Sequence, residues 1–202
     1  MIITPEIAKI AGLFAADGSM QKNHICFWGN ITEDKDFYDN ILKPLFFKAF
    51  DININPHIKI SNSVYGFYIC NRKVINFFNN DLSFPFGSKT YSVEVPEIIL
   101  KSKDPIIWQN FISGYLAGDG CLNFDKIYGP GYQEIRQIIH TYPRIQLTSV
   151  SPQLISGSSV MLNKLGIKHF IYKIKKNKSN EKDAFRLQVS GVERLEEWYK
   201  QI

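Results

Sequence analysis

The stretch Ile112–Asn123, ISGYLAGDGCLN, decides how this chain is read. Apolar residues at helical spacing run into small residues and then into a carboxylate, Asp119. A helix dipole places partial negative charge at its C-terminus, so an aspartate there is unfavourable unless a cation offsets it. Residues 10–20, IAGLFAADGSM, put Asp17 in the matching frame. A single Asp-Gly after a helix reads as a C-cap turn with a left-handed glycine. Two of them in matching context call for a shared cause. In each helix small residues recur four apart, Gly12 with Ala16 and Gly114 with Gly118, and residues four apart share a helix face. Helices packed along such faces approach closely and end side by side, which would bring Asp17 and Asp119 together. Two carboxylates and two negative helix ends suit a hard divalent cation such as Mg²⁺, held through carboxylate and carbonyl oxygens and water.

The rest of the chain repeats around these two stretches. The first half reads as a helix over about Pro5–Ala16 and a short strand in ICFWGN. A helix capped by Thr32 follows, then two alternating segments, INPHIKIS and VYGFYIC, which form a hairpin. RKVINFFNN is a closing helix. The second half repeats the order: a helix over about Ile106–Gly118, the strand RIQLTSV, and a helix capped by Ser151 with Pro152 at its first position. The hairpin HFIYKIKKN and AFRLQVS and the helix GVERLEEWYKQ complete it. This predicts an α+β fold of two pseudo-symmetric αββαββα repeats, residues 1–100 and 107–202, joined by a linker at 101–106. The main asymmetry, Asp125–Thr141, is long for a hairpin loop.

The 202 residues carry a net charge of +5, which favours a polyanionic partner. With 45% hydrophobic residues the chain can bury a core. Cys26, Cys70 and Cys121 have no metal-ligand spacing and read as reduced thiols of an intracellular protein, cytoplasm or organelle unresolved. No basic segment followed by an apolar stretch marks a signal peptide, and no apolar run approaches the roughly 20 residues that span a bilayer, so no membrane partner is expected. His24, His57, His140 and His169 show no catalytic spacing, and no phosphate loop or zinc pattern is present.

IAGLFAADG and ISGYLAGDG resemble the paired motifs of the LAGLIDADG homing endonucleases in their single-chain form, and the repeat order extends the resemblance over nearly the whole chain. PRIQLTSVS, LNKLGI and SKTYSVEVP add to it. The family carries an acid at the sixth motif position, where this chain has Ala15 and Ala117; the eighth-position acids are present as Asp17 and Asp119. The resemblance implies a saddle of two antiparallel sheets over DNA and metal-dependent double-strand cleavage of a long, pseudo-palindromic target, as in intron homing. It implies Mg²⁺ at Asp17 and Asp119, with the carbonyls of Ala16 and Gly118 completing the coordination and Mn²⁺ or Ca²⁺ able to take the same sites. Lys89 stands where the family carries a catalytic lysine. The second repeat ends too early for an equivalent, and Gln146 is the weaker candidate there, equally suited to reading a base. The other readings on this scaffold are an RNA-splicing maturase, with intron RNA as partner, and a DNA-binding regulator without cleavage. Protein-splicing segments are not read in the chain, which favours a free-standing or intron-encoded monomer.

Strand alternation locates the DNA surface. Arg186, Gln188 and Ser190 alternate with Phe185, Leu187 and Val189. Arg144, Gln146 and Thr148 alternate with Ile145 and Leu147, and His57, Lys59 and Ser61 with Ile58 and Ile60. In the strand at 169–175, Lys173 and Lys175 are assigned to the polar face and Phe170, Tyr172 and Ile174 to the other. The expected DNA contacts are Lys59, Tyr68, Arg144, Gln146, Lys173, Lys175, Arg186 and Gln188. Trp28 joins Tyr68 on the outer face, and Lys176 and Lys178 are solvated or phosphate-facing. Such side chains suit phosphates and base edges in a major groove wide enough for a β-ribbon.

Overall fold

α1 (Pro5–Ala16) begins where Thr4 Oγ1 accepts the Ile7 N–H, with Pro5 at the first helical position. The structure, a computed structural model, describes residues 2–59, 63–128, 139–175 and 183–202, with the side chains of 125–128 and 139–142 outside that description. It divides into two compact units, Met1–Asp119 and Gly120–Ile202.

In the first unit α1 leads into β1 (Ser19–Gln21) and β2 (His24–Asn30). α2 (Lys35–Phe37) runs through a wider π-helical turn, Tyr38–Leu42, into α3 (Lys43–Phe50). Pro44 has no N–H to give the helix, and the wider turn lies just ahead of it. β3 (His57–Lys59) and β4 (Val64–Ile69) follow, then α4 (Arg72–Asn76), α5 (Glu97–Leu100) and α6 (Pro105–Asp119). The four strands form one antiparallel sheet in the order β1-β2-β4-β3. Their inner face packs through phenylalanines. Phe14 meets Phe84 at 4.6 Å and Phe78 at 5.1 Å, and Phe27 meets Phe46 and Phe67 at 5.6 and 5.4 Å. Tilted and edge-on rings, with the stacked pair Phe27–Phe67, add to the stabilisation from burial itself.

One expected cap differs. Thr32 does not cap the helix after β2, which starts only at Lys35. Asn30 organises the turn instead: its Oδ1 accepts the N–H groups of Thr32 and Glu33, and its own N–H donates to Asp34 Oδ2 at 2.6 Å. An asparagine side chain that mimics a backbone turn outcompetes the threonine two residues on.

The second unit holds β5 (Gly120–Tyr128), β6 (Ile139–Ser149), α7 (Pro152–Lys164), β7 (Phe170–Ile174), β8 (Ala184–Ser190) and α8 (Val192–Gln201). Its sheet repeats the order of the first, β5-β6-β8-β7. Ser151 caps α7 as expected, its Oγ accepting the Leu154 N–H. Leu147, Leu154, Met161, Leu162, Leu187, Val189 and Trp198 fill the core. The segment expected as a long loop, Asp125–Thr141, is partly strand: backbone at 125–128 continues the ladder with 139–142. Residues 129–138 of that segment, and also Ile60, Ser61, Lys176 and Lys178, lie outside the described residues. The repeat order puts the join at 101–106, whereas compactness divides the chain after Asp119, because α6 packs on α1.

Candidate metal centre and nucleic-acid interface

α1 and α6 meet backbone to backbone. A Cβ added to Gly12 would lie 2.0 Å from the Phe111 carbonyl oxygen, and one added to Gly114 would lie 1.9 Å from that of Lys9. Lys9 and Phe111 hold the same place in the two motifs, three residues before the glycine. The contact is therefore reciprocal, as a local twofold axis between the helices requires. At the C-terminal end a Cβ on Gly118 would lie 2.5 Å from Ala16 Cβ and 2.7 Å from Asp17 Oδ2. The Asp17 carboxylate thus lies against the last turn of α6, one residue from Asp119.

Lys89 reaches the same place from the segment after α4. Gly87, at φ +80°, donates its N–H to the Met20 carbonyl and pins this segment to β1. A side chain there would be strained by the backbone conformation. Two residues on, Lys89 Nζ donates to the carbonyl oxygens of Ala15 at 2.8 Å and Ala16 at 2.7 Å. The ammonium satisfies helix-end carbonyls and opposes the negative dipole end.

Charge is crowded at this point. Burial raises the Asp119 carboxyl to about 6, the Asp17 charge adds to the rise, and Lys89 opposes it. Burial likewise raises Asp17; Lys89 works against the rise and Asp34 adds to it. Burial lowers Lys89, while Asp119 and Asp17 hold its proton on. Both aspartates keep accessible surface, so their oxygens can reach a ligand although the protein behind them displaces water.

This donor set fits a hard divalent cation: two carboxylates that stay ionised with difficulty on their own, next to helix-end carbonyls. Among the described residues no three His, Cys, Asp or Glu side chains gather as a metal cage. A cation here would complete its shell with carbonyl, water or phosphate oxygens. Of the carbonyls assigned to metal, that of Ala16 already accepts one bond from Lys89 and has one lone pair left.

The central strands β6 and β8 carry the polar face that alternation predicts. In the second unit Arg144, Gln146 and Thr148 pair across the ladder with Ser190, Gln188 and Arg186, and all lie opposite buried Leu147, Leu187 and Val189. Asn123 of β5 joins them beside Arg144. Gln146 is only 6% exposed, and both ends of its amide are engaged: Oε1 accepts from Asn123 at 2.9 Å and Nε2 donates to Gln188 at 2.7 Å. Arg186 donates from Nε to Thr148.

The β7 faces are the reverse of those expected. Lys173 pairs with Phe185, and Tyr172 with Arg186, so Tyr172 and Phe170 share the polar face and Lys173 does not. Lys173 forms an ion pair with Asp183, and Lys175 follows the last paired residue of the strand. The reason is that β7 is an edge strand exposed on both faces, so its alternation does not declare which face is inner. Tyr172 and Asn123 were missed for the same reason: only the cross-strand register reveals them.

In the first unit Lys59, Tyr68 and Trp28 share the outer face as expected. His57 sits edge-on to Trp28 and Tyr68 at 5.3 and 5.8 Å, and the Lys59 ammonium lies 5.4 Å from the Trp28 ring centre. They border an open cleft of about 460 Å³.

Residues 109–202 match the family model of a LAGLIDADG-like domain. The whole chain superposes on the homing endonuclease I-DmoI, in complex with DNA and calcium, with a TM-score of 0.65 at 14% identity, covering 98% of this chain and 88% of that one. Residues 109–202 thus form a LAGLIDADG-like domain, and the fold of the chain is that of I-DmoI. Another structural match is I-SmaMI bound to its uncleaved DNA target with calcium, TM-score 0.58 at 13% identity, covering 96% of this chain and 82% of that one. Other I-DmoI complexes with target DNA contain manganese or magnesium. In sequence, 123 residues are 28% identical to part of a translation initiation factor IF-2 from Methanocaldococcus jannaschii, 60% of this chain but 9% of that protein. Another 81 residues are 32% identical to part of a DNA polymerase from a Thermococcus species, 40% of this chain and 4% of that one. The chain thus spans a small fraction of the curated relatives that it matches.

Proposed function

We propose that this chain is a site-specific DNA endonuclease that makes divalent-metal-dependent double-strand breaks at a long, pseudo-palindromic target, working as a monomer with Mg²⁺. One observation carries the reading: Asp17 and Asp119 stand at adjoining ends of two helices packed through glycine, with the Lys89 ammonium on the carbonyls beside them. Phosphodiester hydrolysis needs charge neutralised at phosphorus and a water made nucleophilic, and a bound divalent cation supplies both. Asp17 and Asp119 would hold it, with the Ala16 and Gly118 carbonyls. Burial lowers the Lys89 pKa and the two carboxylates oppose that shift; its ammonium is placed to stabilise the negative charge that grows on the phosphate oxygens in the transition state. The outer face of the second sheet offers amide, hydroxyl and guanidinium groups to base edges and phosphates, and that of the first offers Lys59, His57 and Tyr68. The DNA complexes of I-DmoI and I-SmaMI support this reading through the shared fold.

The test is incubation with a randomised duplex library in Mg²⁺, followed by sequencing of new ends. A defined class of cleaved sites is expected. A library that stays intact, or is cut identically with EDTA present, would remove the proposal.

A further inference from the structure

Glutamines that read DNA usually grip adenine with both ends of the amide: Oε1 accepts from N6 and Nε2 donates to N7. Gln188 is set up differently. Its Oε1 accepts from Gln146 Nε2 at 2.7 Å and from the Tyr172 hydroxyl at 3.0 Å. An amide oxygen has two lone pairs, so its accepting capacity is used. On the other end, Nε2 donates one of its two hydrogens to Ser190 Oγ at 2.7 Å. Among the described residues one N–H is left, on a half-exposed side chain of the polar face. Asn123 donates into Gln146 Oε1, and the Gln146 amine at the other end of that side chain donates on to Gln188.

We propose that Gln188 faces DNA as a donor only, and that Gln146 and Tyr172 are positioning residues that keep it so; this rests on the endonuclease reading above. A lone donor finds partners at guanine O6 and N7 and at thymine O4. Adenine offers it N7 alone, beside an N6 amine that Gln188 can no longer accept from, and cytosine offers no acceptor. The target position read by Gln188 therefore favours guanine or thymine over adenine. Freeing the oxygen returns the adenine grip without a new side chain at the DNA.

The experiment compares sites selected from a randomised library by the wild-type chain, Gln188→Ala, Tyr172→Phe and Gln146→Met. Gln188→Ala locates the position by relaxing preference there. Wild type is expected to select guanine or thymine at it. Tyr172→Phe removes one exposed hydroxyl, and Gln146→Met removes the other donor at nearly equal volume. In each, adenine at that one position should rise on the order of fivefold or more, the low end of what a bidentate pair discriminates. A purely structural role would lower cleavage at all sites without enriching adenine. Adenine as the wild-type choice, no position that depends on Gln188, or an unchanged preference in Tyr172→Phe would each overturn the proposal while leaving the endonuclease reading intact. A library from which no site emerges would overturn that reading itself, and this proposal with it.

Discussion

Asp119 joins two costs in one side chain, a carboxylate at a helix C-terminus and a carboxyl pushed up to about 6 by burial and by Asp17, against the pull of Lys89. The sign of its effect on stability follows from linkage. Between the ordinary value of 3.8 and about 6, the folded chain binds more protons at this position than the unfolded chain. Its contribution is then fully present below pH about 4 and is lost as pH rises through about 6. In metal-free buffer Asp119→Asn should therefore melt at a higher temperature than wild type at pH 8, with the difference gone at pH 4. Calorimetry of both proteins with EDTA present checks this, and an Asn variant less stable at pH 8 would contradict the electrostatic account. The sixth-position residues show a related economy. Ala15 is buried, and its carbonyl serves Lys89, so this position contributes backbone and no acid.

At the scale of elements, the α1–α6 pair was the most legible feature of the chain, and the strand faces were the least. Gly12 and Gly114 announced a close approach because few structures other than touching backbones need glycine inside two apolar helices. A glycine-to-alanine change in an exposed helix usually stabilises it by about 1 kcal/mol. Here Gly114→Ala sets a Cβ 1.9 Å from the Lys9 carbonyl oxygen. The helices must part, and a cost of ~1–3 kcal/mol or more is expected, read as a lower midpoint in urea. A midpoint at or above wild type would mean that the seam lies elsewhere. Caps were legible where one side chain competed, as at Ser151, and misread where two did, as at Thr32 beside Asn30. Accordingly Asn30→Ala should cost about 1 kcal/mol through its lost backbone bonds, and Thr32→Ala much less, on the same urea curves. Lys173 was misplaced because an edge strand lacks the buried face that fixes central strands. Gln146 was read as a catalytic or base-reading candidate because sequence cannot show that both ends of its amide are occupied.

At the scale of the whole molecule, the repeat and the net charge of +5 carried the reading from pattern to function. Each unit builds the same four-strand order with a polar outer face. The division of chemistry between them is unequal. The first unit contains both motif aspartates and Lys89, and presents aromatic and histidine side chains on its sheet. The second presents a connected amide and hydroxyl network. The account stands or falls on Asp17 and Asp119 acting together in metal-dependent cleavage. The direct measurement is conversion of a supercoiled plasmid bearing the selected site to linear DNA in Mg²⁺, for wild type, Asp17→Asn and Asp119→Asn, with retention of binding checked by gel shift in Ca²⁺. The account predicts linear product from wild type only, no linear product from either variant, and bound complexes from all three; linear product from either variant at the wild-type rate would contradict it.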